Sequence, residues 1–258
     1  MTKRTYRYIY GPVPSWRLGS SLGIDPISQT EKICTFDCIY CQLGRTKHLT
    51  DARKVFIPTR SIIKELESLP SVKIDYITFS GRGEPTLAEN LGEMIKAVKL
   101  IRKEKIAILT NSSLIYRKDV ARDLSLADFV VCKLDAPSQY VFKLINAPAK
   151  YAKIDAIINA IKEFRGFYKG KLALQVMFMG ENLVYASEIA AMFKYIRPDE
   201  VQLNTPLRPC DVKPLPSDKM KAIERYFGGL NVVSVYRAEK KDVKPISSDD
   251  TLKRRGKV

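Results

Sequence analysis

Three of the five cysteines in this 258-residue chain fall within eight positions, in the stretch Cys34-Thr-Phe-Asp-Cys38-Ile-Tyr-Cys41. The spacing is C-x3-C-x2-C. Three thiolates on one short loop can reach a common point, which is the geometry of a metal centre. A secreted disulfide framework would instead spread an even number of cysteines along the chain. Two metal readings fit the spacing. In one, each cysteine holds an iron of an iron–sulfur cluster, which normally takes four cysteines, so one iron stays open. In the other, His48, the only histidine, completes a Cys3His zinc site. Structural zinc usually draws ligands from two separate knuckles, and here all three thiolates come from one.

Chemistry on a loop needs elements to position it. Residues 6–20 carry Gly-Pro and Pro-Ser and read as an irregular lead-in. Residues 22–27 form a first short strand, and the cysteine loop follows it directly. Residues 60–69 present Ile62, Leu66 and Leu69 on one helical face, and Pro70 ends the helix. Residues 75–80 form a strand broken by Gly81-Arg-Gly-Glu-Pro85. Leu91, Met94, Ile95, Val98 and Ile101 make the next helix face. Strands at 105–110, 128–134, 172–178 and 200–204 then alternate with helical patterns around Val120 and Leu124, 140–145, 154–164 and 188–196.

Strand–helix repeated about six times implies a mostly parallel sheet with helices outside it. Right-handed crossovers curl such a sheet into a partial (β/α)6 TIM-like barrel, an α/β fold. The expected organisation is a lead-in at 1–20, a core barrel at 21–207 and a C-terminal extension at 208–258. In that extension Ser217 N-caps a helix, 231–235 is a last strand, and the tail from Asp242 is polar.

Such folds carry their chemistry at the C-terminal ends of the strands. That rim holds the cysteine loop, then Gly81, Gly83 and Glu84 after the second strand, and Asn111 after the third. Lys133 and Asp135 end the fourth, Gln175 lies within the fifth, and Asn204 ends the sixth. Plainer roles are open to several of them. Glu84 suits a helix N-terminus, Asp135 can cap a helix or pair with Lys133, and Gln175 can be an interior hydrogen bonder. By strand alternation Cys132 faces away from Lys133 and Asp135, as a small buried residue would.

The cysteine motif, with Tyr40 just before its last cysteine, resembles the signature of the radical S-adenosylmethionine (radical SAM) superfamily. Gly81-Arg-Gly-Glu-Pro85 resembles that family's Gly-Gly-Glu-Pro motif. The resemblance spans residues 20–207. Gly-Pro-Val-Pro-Ser15, Ser-Leu-Gly-Ile-Asp-Pro26 and Cys-Ile-Tyr-Cys-Gln-Leu-Gly-Arg-Thr46 are similar to a branch distantly akin to archaeal tRNA-wyosine base synthases.

The resemblance implies a [4Fe–4S] cluster on Cys34, Cys38 and Cys41 whose open iron chelates the amino and carboxylate groups of SAM. It also implies one-electron cleavage of SAM to a 5′-deoxyadenosyl radical, an electron donor such as ferredoxin or flavodoxin, and an unidentified substrate. Carried over by position, Gly81 and Gly83 admit the methionine end, and the Gly81-to-Glu84 stretch meets its amino group. Tyr40 faces the adenine, and Asn111 and Lys133 reach the ribose or carboxylate. Asp135, Gln175 and Asn204 complete the cofactor-facing rim. Relatives often end the fourth strand Ser-Leu-Asp, where this chain has Lys133-Leu-Asp135.

The net charge of +16 favours polyanionic partners. Lys3, Arg4, Arg7 and Arg17, with Lys253, Arg254 and Arg255, are the cations that could form an RNA-binding rim. A small metabolite, a peptide or a protein are the other substrate classes. A different class of function also fits these residues, a zinc-stabilised nucleic-acid-binding protein without catalysis. No apolar run approaches the roughly 20 residues needed to span a bilayer. The basic N-terminus lacks the apolar core of a signal peptide. A cytoplasmic protein with no membrane partner is the expectation.

Overall fold

The computed structural model describes residues 5–239 and 241–255. Its centre is an eight-stranded sheet. A hairpin opens it, β1 (Ile9–Ser15) and β2 (Gly19–Ile24), followed by two short strands in the cysteine loop, β3 (Ile33–Cys34) and β4 (His48–Leu49). Next come α1 (Thr59–Glu67), β5 (Tyr76–Phe79), α2 (Leu91–Ile101), β6 (Lys105–Thr110), α3 (Lys118–Leu124) and β7 (Phe129–Lys133). Two helices follow, α4 (Gln139–Asn146) and α5 (Ile154–Phe167), and then β8 (Lys171–Met177), α6 (Ala186–Ile196) and β9 (Glu200–Asn204). The chain closes with α7 (Ser217–Glu224), β10 (Val232–Ser234) and α8 (Ser248–Arg255).

The order in the sheet is β1-β2-β5-β6-β7-β8-β9-β10. Every neighbouring pair from β2 to β10 is parallel, and only β1 runs antiparallel. Parallel neighbours need crossovers, and α1 to α7 supply them, so the strand ends share one rim. This is the partial α/β barrel that the strand–helix alternation predicts.

Two-residue alternation sorts each strand. Ala107, Phe129, Val131 and Ala173 turn inward and pack with Leu18 from the hairpin turn into a small plug. Above the plug, Leu109, Val131, Lys133, Gln175, Met177 and Asn204 line a cavity. The intervening residues, Ile106, Ile108, Val130, Cys132, Leu172, Leu174, Val201 and Leu203, are buried in the main core with the helices. Cys132 lies there fully buried.

The structure departs from the sequence reading at both ends. The lead-in read as irregular contains β1, and the first barrel strand starts at Gly19 rather than at 22. Pro12 and Pro14 hid β1, because proline cannot donate to a ladder; at the sheet edge that donor is dispensable. The β1–β2 register shifts between Tyr10 and Val13. The polar tail from Asp242 contains α8, which packs on β1. Asp250 accepts from Tyr6 N at 3.0 Å, Thr251 Oγ1 from Gly11 N at 3.0 Å, and Ile246 N donates to Gly11 O at 2.7 Å. The one sheet thus runs across both expected boundaries, at 20 and at 207. Ser217 is not an N-cap; Pro216 holds that position without a side-chain bond.

Candidate active site

The cysteine loop is pinned on two flanks. On one, β3 pairs with β4, and Ile33 bridges Gly83 in the turn after β5. Gly83 is required by this approach, since a Cβ there would lie 1.8 Å from the Ile33 carbonyl oxygen. A Cβ on Gly81 would lie 2.2 Å from the Asp25 carboxyl carbon. Asp25 directly follows β2 and accepts from Arg82 N at 3.2 Å, so it draws the turn against the loop. The protein's own packing therefore demands both glycines, a reason additional to the approach of a ligand.

On the other flank lies the end of α4. Asp37 N donates to Asn146 O at 3.0 Å, Ile39 N to Ile145 O at 3.0 Å, and Ala149 N to Thr35 O at 3.0 Å. Ala147 ends the helix in the left-handed conformation at φ 37°, which turns the chain toward the loop. Within the loop, Cys41 N donates to Cys38 O and Gly44 N to Cys41 O. The Lys32 ammonium holds Gly44 O at 2.8 Å.

Two buried carboxylates order the cavity wall. Glu84 accepts from Thr86 N (3.1 Å), Thr86 Oγ1 (2.7 Å), Thr110 Oγ1 (2.6 Å) and Asn111 N (2.7 Å). Burial raises its pKa against those four bonds. Asp135 accepts from Tyr40 Oη, Asn146 Nδ2 (2.9 Å) and Met177 N (2.8 Å), with Lys133 Nζ at 3.4 Å. The Lys133 ammonium also lies over the Tyr40 ring, 4.5 Å from its centroid. Both acids thus position their neighbours: Glu84 sets Asn111, and Asp135 sets Tyr40, Asn146 and Lys133.

Two side-chain amides reach the sulfurs. Asn111 Nδ2 donates to Thr35 Oγ1 at 2.7 Å and lies 3.6 Å from Cys34 Sγ; Asn146 Nδ2 lies 3.4 Å from Cys38 Sγ. Burial, then the nearby Glu84 charge, pushes the Cys34 thiol up to about 12, and burial pushes Cys38 up to about 11. Without a metal these groups stay protonated, whereas coordination to a cation deprotonates them outright. Amide donors aimed at sulfur suit the thiolate form. Three cysteines on one cavity wall, two with such donors, fit a cluster.

His48 does not join the three cysteines. His48 is exposed on β4 and pairs with Glu31 at 2.5 Å, and it does not line the cavity. Among the described residues no three Cys, His, Asp or Glu side chains converge on one ion position.

The cavity has a volume of about 490 Å³. Cys34, Cys38, Cys41, Tyr40, Gly81, Gly83, Glu84, Asn111, Lys133, Asp135, Gln175 and Asn204 all line it. Gln175 Oε1 accepts from Arg17 at 2.7 Å, and Asn204 Oδ1 from Thr205 N at 2.9 Å. Arg208 reaches across to Gln42 Oε1 at 2.7 Å, joining the segment after β9 to the cysteine loop. Asn146, Thr35 and Asp25 escaped the sequence reading. Asn146 sits within a helical pattern, and only the fold brings it to Cys38. Asp25-Pro26 at a strand end was the one legible signal for Asp25.

The sequence profile of the Radical SAM superfamily matches residues 30–193. The chain belongs to the radical SAM superfamily. It is 41% identical over 212 residues to a UPF0026 protein of Synechocystis sp., covering 82% of this chain and 78% of that one. Among solved structures, Streptococcus suis SuiB bound to S-adenosylmethionine matches with a TM-score of 0.62 at 16% identity, over 80% of this chain. This chain spans about half the length of SuiB, 48% of it. TYW1 with a lysine-pyruvate adduct bound matches with a TM-score of 0.65 at 14% identity, over 83% of this chain and 76% of that one. At such identities the likeness shows the fold. This radical SAM protein is an enzyme whose family chemistry uses SAM, an iron–sulfur cluster, a reductant and a substrate. Among the described residues no helix is long and apolar enough to cross a membrane.

Proposed function

We propose that Cys34, Cys38 and Cys41 hold a [4Fe–4S] cluster at the cavity wall and that SAM binds beside it. Bound there, the two supply reductive cleavage of SAM to a 5′-deoxyadenosyl radical, which acts on the substrate. The observation that carries this reading is the meeting of the cysteine loop and the Gly81-to-Glu84 turn. They lie 40 or more positions apart in sequence, and the Ile33–Gly83 bridge joins them at one cavity wall. Asn111 and Asn146 orient two of the sulfurs. Gly81, Gly83 and Glu84 form the methionine end, with Glu84 also setting Asn111 through its backbone N. Tyr40, clamped by Asp135, offers a fixed ring for the adenine. Lys133, Asn204 and Gln175 carry the polar contacts farther along the wall.

The test is anaerobic purification. The protein should contain about four irons and four sulfides per chain, and dithionite with SAM should release 5′-deoxyadenosine. Cys38→Ala should abolish both. Colourless protein with one zinc per chain would sink the reading.

An RNA substrate rests on the net charge of +16. Arg17 lines the cavity, and Arg254 is buried, donating to Asp250 O and Arg7 O. Neither belongs to an outer rim. Arg7 is exposed. Lys3 and Arg4 lie outside the described residues, as do the side chains of Lys253 and Arg255. An anaerobic pull-down reads this directly: RNA held through phosphates leaves with a log–log salt slope of about −0.7 to −0.9 per contact. A cytoplasmic setting, with a ferredoxin or flavodoxin as reductant, accords with cluster chemistry.

A further inference from the structure

A second cavity, of about 270 Å³, lies back to back with the first and shares Phe36 and Ile157 with it. Thr35 and Phe36 of the cysteine loop line it, together with Ser113. Tyr116 and Tyr151 also line it, and they are 56% and 80% exposed. Bare tyrosines over a groove lose no solvation that a fold needs, yet offer a partner rigid, amphipathic area.

The charge around this groove is mostly of one sign. Lys153 lines it, and Lys150 lies 5.9 Å from the Tyr151 ring centroid. Tyr140, Lys143 and Leu144 occupy positions i, i+3 and i+4 on the exposed face of α4, whose inner face buries Val141, Phe142 and Ile145. Lys143, Lys150 and Lys153 are exposed and have no ion pair among the described residues. Asp51 is the one carboxylate lining the groove. Gln139 ties the start of α4 to this region, donating to Ala152 O at 3.0 Å and accepting from Ile154 N at 2.9 Å.

We propose that this groove, with Lys153 on its wall, Lys150 beside Tyr151 and Lys143 on the exposed face of α4 that Gln139 ties to it, is the docking site of a small acidic one-electron carrier protein. The proposal rests on the cluster reading above. A carrier seated here is separated from Cys34 only by the loop that bears it. The same flank carries direct bonds into the loop, Ala149 N to Thr35 O and Asn146 Nδ2 to Cys38 Sγ. One electron leaves the reduced carrier and enters the cluster, so the carrier is oxidised by one electron and the cluster reduced by one. A substrate base must enter the first cavity, on the other side of the loop, so the site behind it suits an electron donor better than the reacting part of a substrate. Cationic rims speed encounter with an acidic partner and lose that effect in salt.

The experiment uses the full chain, anaerobically reconstituted, with a flavodoxin as the probe. Affinity is read from the anisotropy of flavin fluorescence, contact from zero-length carboxyl–amine crosslinking, and turnover from 5′-deoxyadenosine. K143E/K150E/K153E should weaken flavodoxin binding by about tenfold or more and slow flavodoxin-driven turnover in proportion. Dithionite-driven turnover should stay within about twofold, since a small reductant needs no docking surface. Tyr151→Ala should weaken binding without changing its salt dependence. The control K219E/K221E on α7 alters the net charge equally per site and should leave binding unchanged.

Crosslinks should map to Lys143, Lys150 or Lys153. Unchanged affinity in the triple variant would overturn the proposal. So would an equal loss with dithionite, or an equal loss in the α7 control. Loss of RNA binding with flavodoxin binding intact would assign the patch to nucleic acid instead. If the wild-type chain releases no 5′-deoxyadenosine with dithionite, the radical reading itself has failed, and affinity and crosslinks then decide the docking surface alone.

Discussion

Gly83 shows at the residue scale how one missing atom holds the site together. Its Cα side faces the Ile33 carbonyl, and no side-chain rotation can relieve a contact with backbone. Gly83→Ala should destabilise the chain by ~1–3 kcal/mol, as overpacking does, and should lower iron retention because the bridge to the cysteine loop opens. Gly180, where a Cβ meets nothing within 4 Å, serves as the control and should change stability by no more than about 0.5 kcal/mol on substitution by alanine. Urea midpoints and iron content read both. The cysteine motif and the glycines were legible as residue types. The reason for the glycines was not, because Asp25 and Ile33 approach them only through the fold. Asn146 was illegible for the same cause: its helical neighbours explain its position, and only the end of α4 puts its amide on Cys38.

At the scale of elements, Arg53 fixes the turn that follows Glu84. Its guanidinium, with a side chain only 4% exposed, donates to Thr86 O and Ala88 O at 2.9 Å and pairs with Asp119 (2.7 Å) and Asp123 (2.5 Å). One side chain thereby ties the Pro85–Leu87 turn to α3. The two acids respond in opposite directions. Burial lifts Asp123 despite Arg53, while Arg117 and then Arg53 hold the more exposed Asp119 low. Removing the cation leaves the half-buried Asp123 unpaired. Arg53→Met should therefore cost ~3–5 kcal/mol, and Arg53→Met with Asp123→Leu should recover part of that loss, as thermal unfolding of the two variants would show. The strand–helix alternation was plain because parallel strands, buried on both faces, read as apolar runs. The anchoring role of Arg53 was hidden, since its four partners are scattered between positions 86 and 123.

At the scale of the molecule, the sheet is finished by a strap. The sheet ends on one side at the antiparallel β1, whose outer edge would stand open, and Ile246 with Asp250 and Thr251 of α8 covers it. An uncovered edge invites pairing with another chain. Deleting residues 245–258 should lower the melting temperature and produce concentration-dependent association, measured by light scattering, with the strands β5 to β9 still formed by circular dichroism. Arg254 belongs to this closure rather than to a nucleic-acid surface, which is why counting charges misplaced it.

Local chemistry and periodicity, properties of short windows, were enough to pick out the cysteine loop, the glycine–glutamate turn, the strand–helix repeats and the polar residues at the strand ends. All twelve candidate residues line one cavity because parallel strands deliver their ends to one rim. The tertiary structure decided what no window contains. It turned His48 away onto Glu31, packed β1 and α8 onto the barrel, placed amides against two sulfurs, and set a second groove, with Lys153 on its wall, behind the cysteine loop. Each of these depends on contacts between residues distant in sequence, and such contacts exist only once the chain has paid the entropy of closing the loops between them.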